Sequence, residues 1–88
     1  MKPKITQEAA ADIAWWKQNN PKVKAKIDEL VRAALEDPKS GIGKPEPLKH
    51  HKPLWSRRIT QEHRFVYYVD AENDLLIIVS CRYHYTNI

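Results

Sequence analysis

The chain has 88 residues, with 15 lysines and arginines against 11 acids for a net charge of +4, and a single cysteine. That length implies one small domain over residues 1–88 with a modest core, and one cysteine excludes an intramolecular disulfide. No apolar stretch approaches the roughly 20 residues of a membrane-spanning helix, and no secretory signal opens the chain, so a cytoplasmic protein with no membrane partner is expected.

Residues Lys2 to Ile5 predict a short edge strand, because Pro3 lacks the N–H that a central ladder uses. Thr6 is positioned to cap a helix running to about Gln18, with Ala9, Ile13 and Trp16 along one face. Asn19-Asn20-Pro21 breaks it. Asn20 then caps, and Pro21 opens, a second helix in which Val23, Ile27, Leu30, Val31, Ala34 and Leu35 repeat at helical spacing to about Glu36. The two read as a helical hairpin. The stretch 37–47 holds both glycines and three of the six prolines, so it predicts a loop.

Three strand-like runs follow, at 54–60, 63–69 and 75–84, with a turn at 70–74, which together predict an antiparallel meander. The fold class is therefore α+β, a small antiparallel sheet packed against an N-terminal helix pair. Period-two alternation in the last strand places Leu75, Ile77, Val79, Cys81 and Tyr83 on one face and Leu76, Ile78, Ser80, Arg82 and His84 on the other. The first row is the expected contact for the helices, leaving Arg82 and His84 on the uncovered side.

Charge is concentrated in the middle of the chain. Between Gly43 and Arg64, six cations (Lys44, Lys49, Lys52, Arg57, Arg58 and Arg64) face two acids, Glu46 and Glu62. Such a basic segment points to a polyanionic partner, and its arginines suit bidentate phosphate contacts. The four histidines show no metal-ligand spacing, no glycine-rich phosphate loop is present, and Cys81 falls in a buried row where a thiol is inert. No cofactor is expected.

What remains is a carboxylate, an imidazole and several guanidinium groups. This set suits cleavage of RNA by its own 2′-hydroxyl, which needs a base, an acid and cations around the phosphate. Taken singly, Glu46 also fits a solvated loop acid, and Arg58 or Arg64 a cross-strand ion-pair partner. Only the combination points to chemistry.

At GKPEPLKH (43–50), WSRRI (55–59), EHRFVY (62–67) and CRYHY (81–85), the sequence resembles the YoeB (Txe) family of bacterial toxins, within the RelE/ParE superfamily. The resemblance spans almost the whole chain and implies a RelE-like fold. It further implies a ribosome-dependent endoribonuclease that cuts mRNA in the decoding site, with a YefM-type antitoxin as inhibitor and a homodimer as the oligomeric state. The expected partners are thus that antitoxin and the 70S ribosome with its A-site mRNA. Matched position by position, Glu46 falls on the family's proposed general base, His84 on its general acid and Arg64 on the phosphate-stabilising arginine. Lys49 and Arg58 accompany them, Tyr85 matches the final tyrosine, and Lys44, Arg57 and Arg82 complete the cations expected to contact RNA. Thr86–Ile88 extend past the tyrosine at which family members commonly end. Two non-nuclease readings stay open on sequence: a gyrase-binding toxin resembling ParE, and a module that blocks the decoding site without cutting.

Overall fold

The computed structural model describes residues 1–83. Its elements run β1 (Lys2–Ile5), α1 (Gln7–Asn19), α2 (Pro21–Glu36), β2 (Glu46–Pro47), β3 (Trp55–Arg58), β4 (Arg64–Asp70) and β5 (Leu75–Ser80). Thr6 caps α1 as its composition predicts, its hydroxyl accepting from Ala9 N. At the second helix, Pro21 occupies the first turn, while the Asn20 side chain makes no capping bond. The Asn20 backbone carbonyl instead receives Val23 N and Lys24 N.

One sheet holds all five strands in the order β1-β5-β4-β3-β2. The meander β3-β4-β5 is antiparallel as expected, but β1 lies parallel to β5, with Lys2 opposite Leu75 and Ile5 opposite Ile78, so the sheet is mixed. The helix hairpin between β1 and the meander provides the long connection that a parallel neighbour requires. Pro3 sits on the outermost strand, where no central ladder needs its missing N–H. Glu46 and Pro47, expected in a loop, form a two-residue strand paired with Ser56 and Trp55.

The core joins Ala9, Trp16, Ile27, Leu30 and Ala34 of the helices to Phe65, Tyr67, Leu76, Ile78 and Cys81 of the sheet side. Here the simple alternation fails in β5. Leu76 and Ile78 face the helices, whereas Ile77 pairs with Lys4 and Tyr68 on the opposite face. A bulge is the cause: Tyr67 pairs with Ile78 but Val66 with Ser80, leaving Val79 as the extra residue. One inserted residue reverses the parity of everything after it. Cys81 therefore returns to the core, as the sequence suggested, although Leu75 and Ile77 do not accompany it.

Candidate active site

The face of the sheet away from the helices carries the charged cluster. Strand register dictates its membership: Glu46 stands opposite Ser56, Ser56 opposite Val66, and Arg58 opposite Arg64. Opposed residues share a face, so Glu46, Ser56, Arg58 and Arg64 are brought together on one side. Arg64 Nη2 donates to Glu46 Oε1 at 2.8 Å and to Ser56 Oγ at 2.9 Å. The two partners differ in environment, the Arg64 side chain being 6% exposed and that of Glu46 58%. A guanidinium anchored from below thus holds a carboxylate that solvent, or a ligand, can reach.

Exposed cations stand on and beside the strands that carry this pair. Arg58 is exposed directly across from Arg64, an arrangement of like charges that costs stability on a sheet unless an anion offsets it. Lys44 and Lys49 are exposed in the segments flanking β2, Lys44 with a positive φ of 50°. The family-like set Glu46, Lys49, Arg58 and Arg64, together with Lys44, therefore lies in and around three adjacent strands. Ser56, which the sequence reading passed over, belongs with them; its place opposite Glu46 and two residues before Arg58 was the available signal.

Two residues expected on the RNA-facing side lie elsewhere. Arg57 is fully buried, its Nε donating to Tyr67 Oη and its two terminal nitrogens to the backbone carbonyls of Ile42, Asp37 and Ser40. Its alternation with Ser56 and Arg58 turns it to the helix side, where it fastens the 37–43 loop onto β3. The Tyr67 hydroxyl completes this network by donating to the Pro38 carbonyl, and burial pushes its pKa upward. Arg82 is also not on the open face: its guanidinium lies 3.6 Å from the Trp15 ring centroid on α1 and 4.7 Å from that of Tyr83. Strand alternation ends with β5 at Ser80, so Arg82 is no longer held to the open face that continued pairing would give it.

The segment after β5 is held closely. Trp16 Nε1 donates to Cys81 O at 2.8 Å, and Cys81 N donates to Asp12 Oδ2 at 2.9 Å. Burial raises the Asp12 pKa above its ordinary 3.8, against the lowering effect of that backbone hydrogen bond. Tyr83, with φ of 64°, donates its N–H to His63 Nδ1 at 2.7 Å and receives Arg64 N on its carbonyl at 3.0 Å. His84 and Tyr85, the expected acid and positioning tyrosine, lie outside the described residues. Among the described residues no group of three or more histidine, cysteine or acidic side chains is arranged to hold a metal, and no helix is long and apolar enough to cross a membrane.

Comparison with known proteins matches residues 5–85 to the family described as YoeB-like toxin of bacterial type II toxin-antitoxin system. The chain is similar to Toxin YoeB of Synechocystis sp., 50% identical over 86 residues that cover 97% of this chain and 98% of that one. Among solved structures, it is similar to the YoeB/ParE toxin from Agrobacterium tumefaciens (43% identity, TM-score 0.92, covering 97% and 100% of the two chains). It also resembles the YoeB dimer from Staphylococcus aureus (38%, TM-score 0.87, covering 97% and 98%) and the toxin of the YoeB-YefM complex from the same organism (41%, TM-score 0.83, covering 94% and 95%).

Proposed function

This chain belongs to the YoeB-like toxin family of bacterial type II toxin-antitoxin systems, and from that premise we propose that it is an endoribonuclease acting on mRNA in the ribosomal A site. The observation that carries the reading is the Glu46–Arg64 pair on the open sheet face, with Arg58, Lys44 and Lys49 around it. In the free protein, Glu46 Oε1 takes the place on Arg64 that a phosphate oxygen would take. An arriving phosphate competes for the guanidinium and leaves the carboxylate beside it, where a base is needed.

Glu46 removes the proton of the 2′-hydroxyl, and the 2′-oxygen attacks the adjacent phosphorus. The bond from phosphorus to the 5′-oxygen breaks, and that oxygen takes a proton from His84, leaving a 2′,3′-cyclic phosphate and a 5′-hydroxyl. Arg64, seconded by Arg58 and Lys49, offsets charge on the non-bridging oxygens, and Tyr85 orients the substrate. Orientation for in-line attack is worth about 7–11 kcal/mol, more than the 10²–10⁴-fold of one acid or base. A ribosome that bends the mRNA supplies that orientation, so free RNA is a poor substrate.

By likeness to the S. aureus dimer and complex, the protein pairs with a second copy and is restrained by a YefM-like antitoxin in the cytoplasm. An acidic antitoxin segment suits the basic open face. The reading is tested by primer extension on a defined mRNA with and without stalled 70S ribosomes. Cuts are expected in the decoding-site codon only when ribosomes are present, and Glu46→Gln or His84→Ala should each reduce cutting about 10²–10⁴-fold while ribosome binding persists. Inhibited translation with intact mRNA would overturn it in favour of a blocking protein.

A further inference from the structure

Residues 81–83 are fastened at two points. Cys81 is gripped from α1 through Asp12 and Trp16, and Tyr83 is gripped from β4 and the residue before it. Of these bonds, only the one from Tyr83 N to His63 depends on an imidazole lone pair. For Nδ1 to accept, the ring must be neutral with its proton on Nε2. A second proton on Nδ1 would place two N–H groups head to head at 2.7 Å. Tyr83 also holds a φ of 64°, a left-handed conformation uncommon for a non-glycine residue, so its backbone relies on partners to keep it there.

The imidazole is itself well fixed. Its ring meets the edge of Trp16 at 4.8 Å between centroids and the Tyr83 ring at 5.7 Å, while its backbone N–H donates to Thr60 Oγ1. The charged groups facing it are Asp12 from α1, close enough to interact electrostatically, and Arg82, against the same Tyr83 ring; Glu62 and Arg64 flank it in the chain. The neighbouring bond from Arg64 N to Tyr83 O links this clamp to the residue whose side chain holds Glu46.

We propose that His63 is a positioning residue: its neutral imidazole, by accepting the Tyr83 amide, sets where the C-terminal segment leaves the sheet, and protonation at Nδ1 opens that clamp. The chemistry balances without any other reactant, since one proton is taken from solvent, one lone pair ceases to accept, and the Tyr83 N–H turns to water. The consequence for cleavage rests on the proposed function, because His84 follows Tyr83 in the chain. The clamp itself does not.

The test follows the Tyr83 amide by NMR in the full-length ¹⁵N-labelled protein over a pH series that carries the His63 ring signals from one protonation state to the other. In the unmodified protein, its chemical shift should move with the His63 ring signals, and its protection, the observed exchange set against the intrinsic rate at each pH, should fall on the acid side. In His63→Asn, whose Oδ1 accepts where Nδ1 did but gains no proton, the Tyr83 amide should stay constant. On ribosomes, His63→Ala should cut about 10-fold or more slowly at saturating substrate with little change in KM, as expected when a reacting group is displaced. His63→Asn should recover most of that rate, with Glu46 and His84 unaltered. A Tyr83 amide indifferent to the His63 titration overturns the clamp, and an unchanged rate in a folded His63→Ala overturns the positioning role. If the unmodified protein cuts nothing, the fault lies with the proposed function, and the amide titration alone still decides the clamp.

Discussion

Arg57 and Arg58 are chain neighbours of identical chemistry with opposite fates. One is wholly buried and donates to three backbone carbonyls and a phenol; the other is exposed across from a like charge. Arg57→Met should therefore destabilise the protein by about 2–5 kcal/mol in urea unfolding, since it removes four hydrogen bonds made by a wholly buried guanidinium and unfastens the loop. Arg58→Met should stay within about 0.5 kcal/mol, and the midpoints of the two variants give the comparison directly. Cys81 offers a further check. Burial drives its thiol above the ordinary 9.0, so iodoacetamide at pH 8 should leave the native protein unlabelled and modify it once urea unfolds it. Labelling of the native state at a free-thiol rate would contradict its place in the core.

Among the elements, the 37–45 loop matters most to the site, because it delivers Glu46 to the edge of β3. Arg57 fastens its first half, and Gly43 O accepts Arg58 N at 2.7 Å. Gly43 has a φ of 82°, and a Cβ there would stand 2.8 Å from Leu30 Cδ2 and 3.0 Å from Arg57 Cβ. Gly43→Ala should cost about 1–3 kcal/mol, from backbone strain and a contact with the packed face of α2 that cannot relax cheaply. Cleavage should fall with it, through displacement of Glu46; thermal melts alongside primer extension would show both. The helices were legible because their apolar spacing and caps are local: Thr6, Pro21 and the repeat from Val23 to Leu35 needed no distant partner. The two-residue β2 was not, since its strand character exists only through pairing with Ser56 and Trp55.

For the whole molecule, stability should respond to acid in two opposed ways. Asp37 and Asp70 are held below the ordinary 3.8, Asp37 chiefly by Lys39 N and Ser40, Asp70 by the Asn73 side chain and N–H. Their contribution is complete above that value and is lost as pH falls through their folded values. Asp12 has the reverse sign: burial raises it, so its contribution is present below 3.8 and is lost as pH rises through its folded value. Asp12→Asn, whose amide oxygen can still accept Cys81 N, should gain stability relative to the parent as pH rises from about 3.5 to 6. Asp37→Asn should show its deficit at pH 6 and lose it toward pH 2–3. Denaturation midpoints across that range would reveal either sign reversed.

The sequence by itself determined the α+β class, the capped helix pair, the edge placement of β1 and the motifs that identify the family, because each rests on spacing within a short stretch or on residue identity in order. It also named Glu46, Lys49, Arg58 and Arg64 as neighbours in chemistry. Only the tertiary structure decided which side each side chain takes. The bulge at Val79 returns Cys81 to the core, the end of β5 at Ser80 frees Arg82 to reach Trp15, and the carbonyls of a distant loop claim Arg57. A bulge, a register and a buried guanidinium are settled by partners far away in the chain, and a local repeat of two cannot encode them.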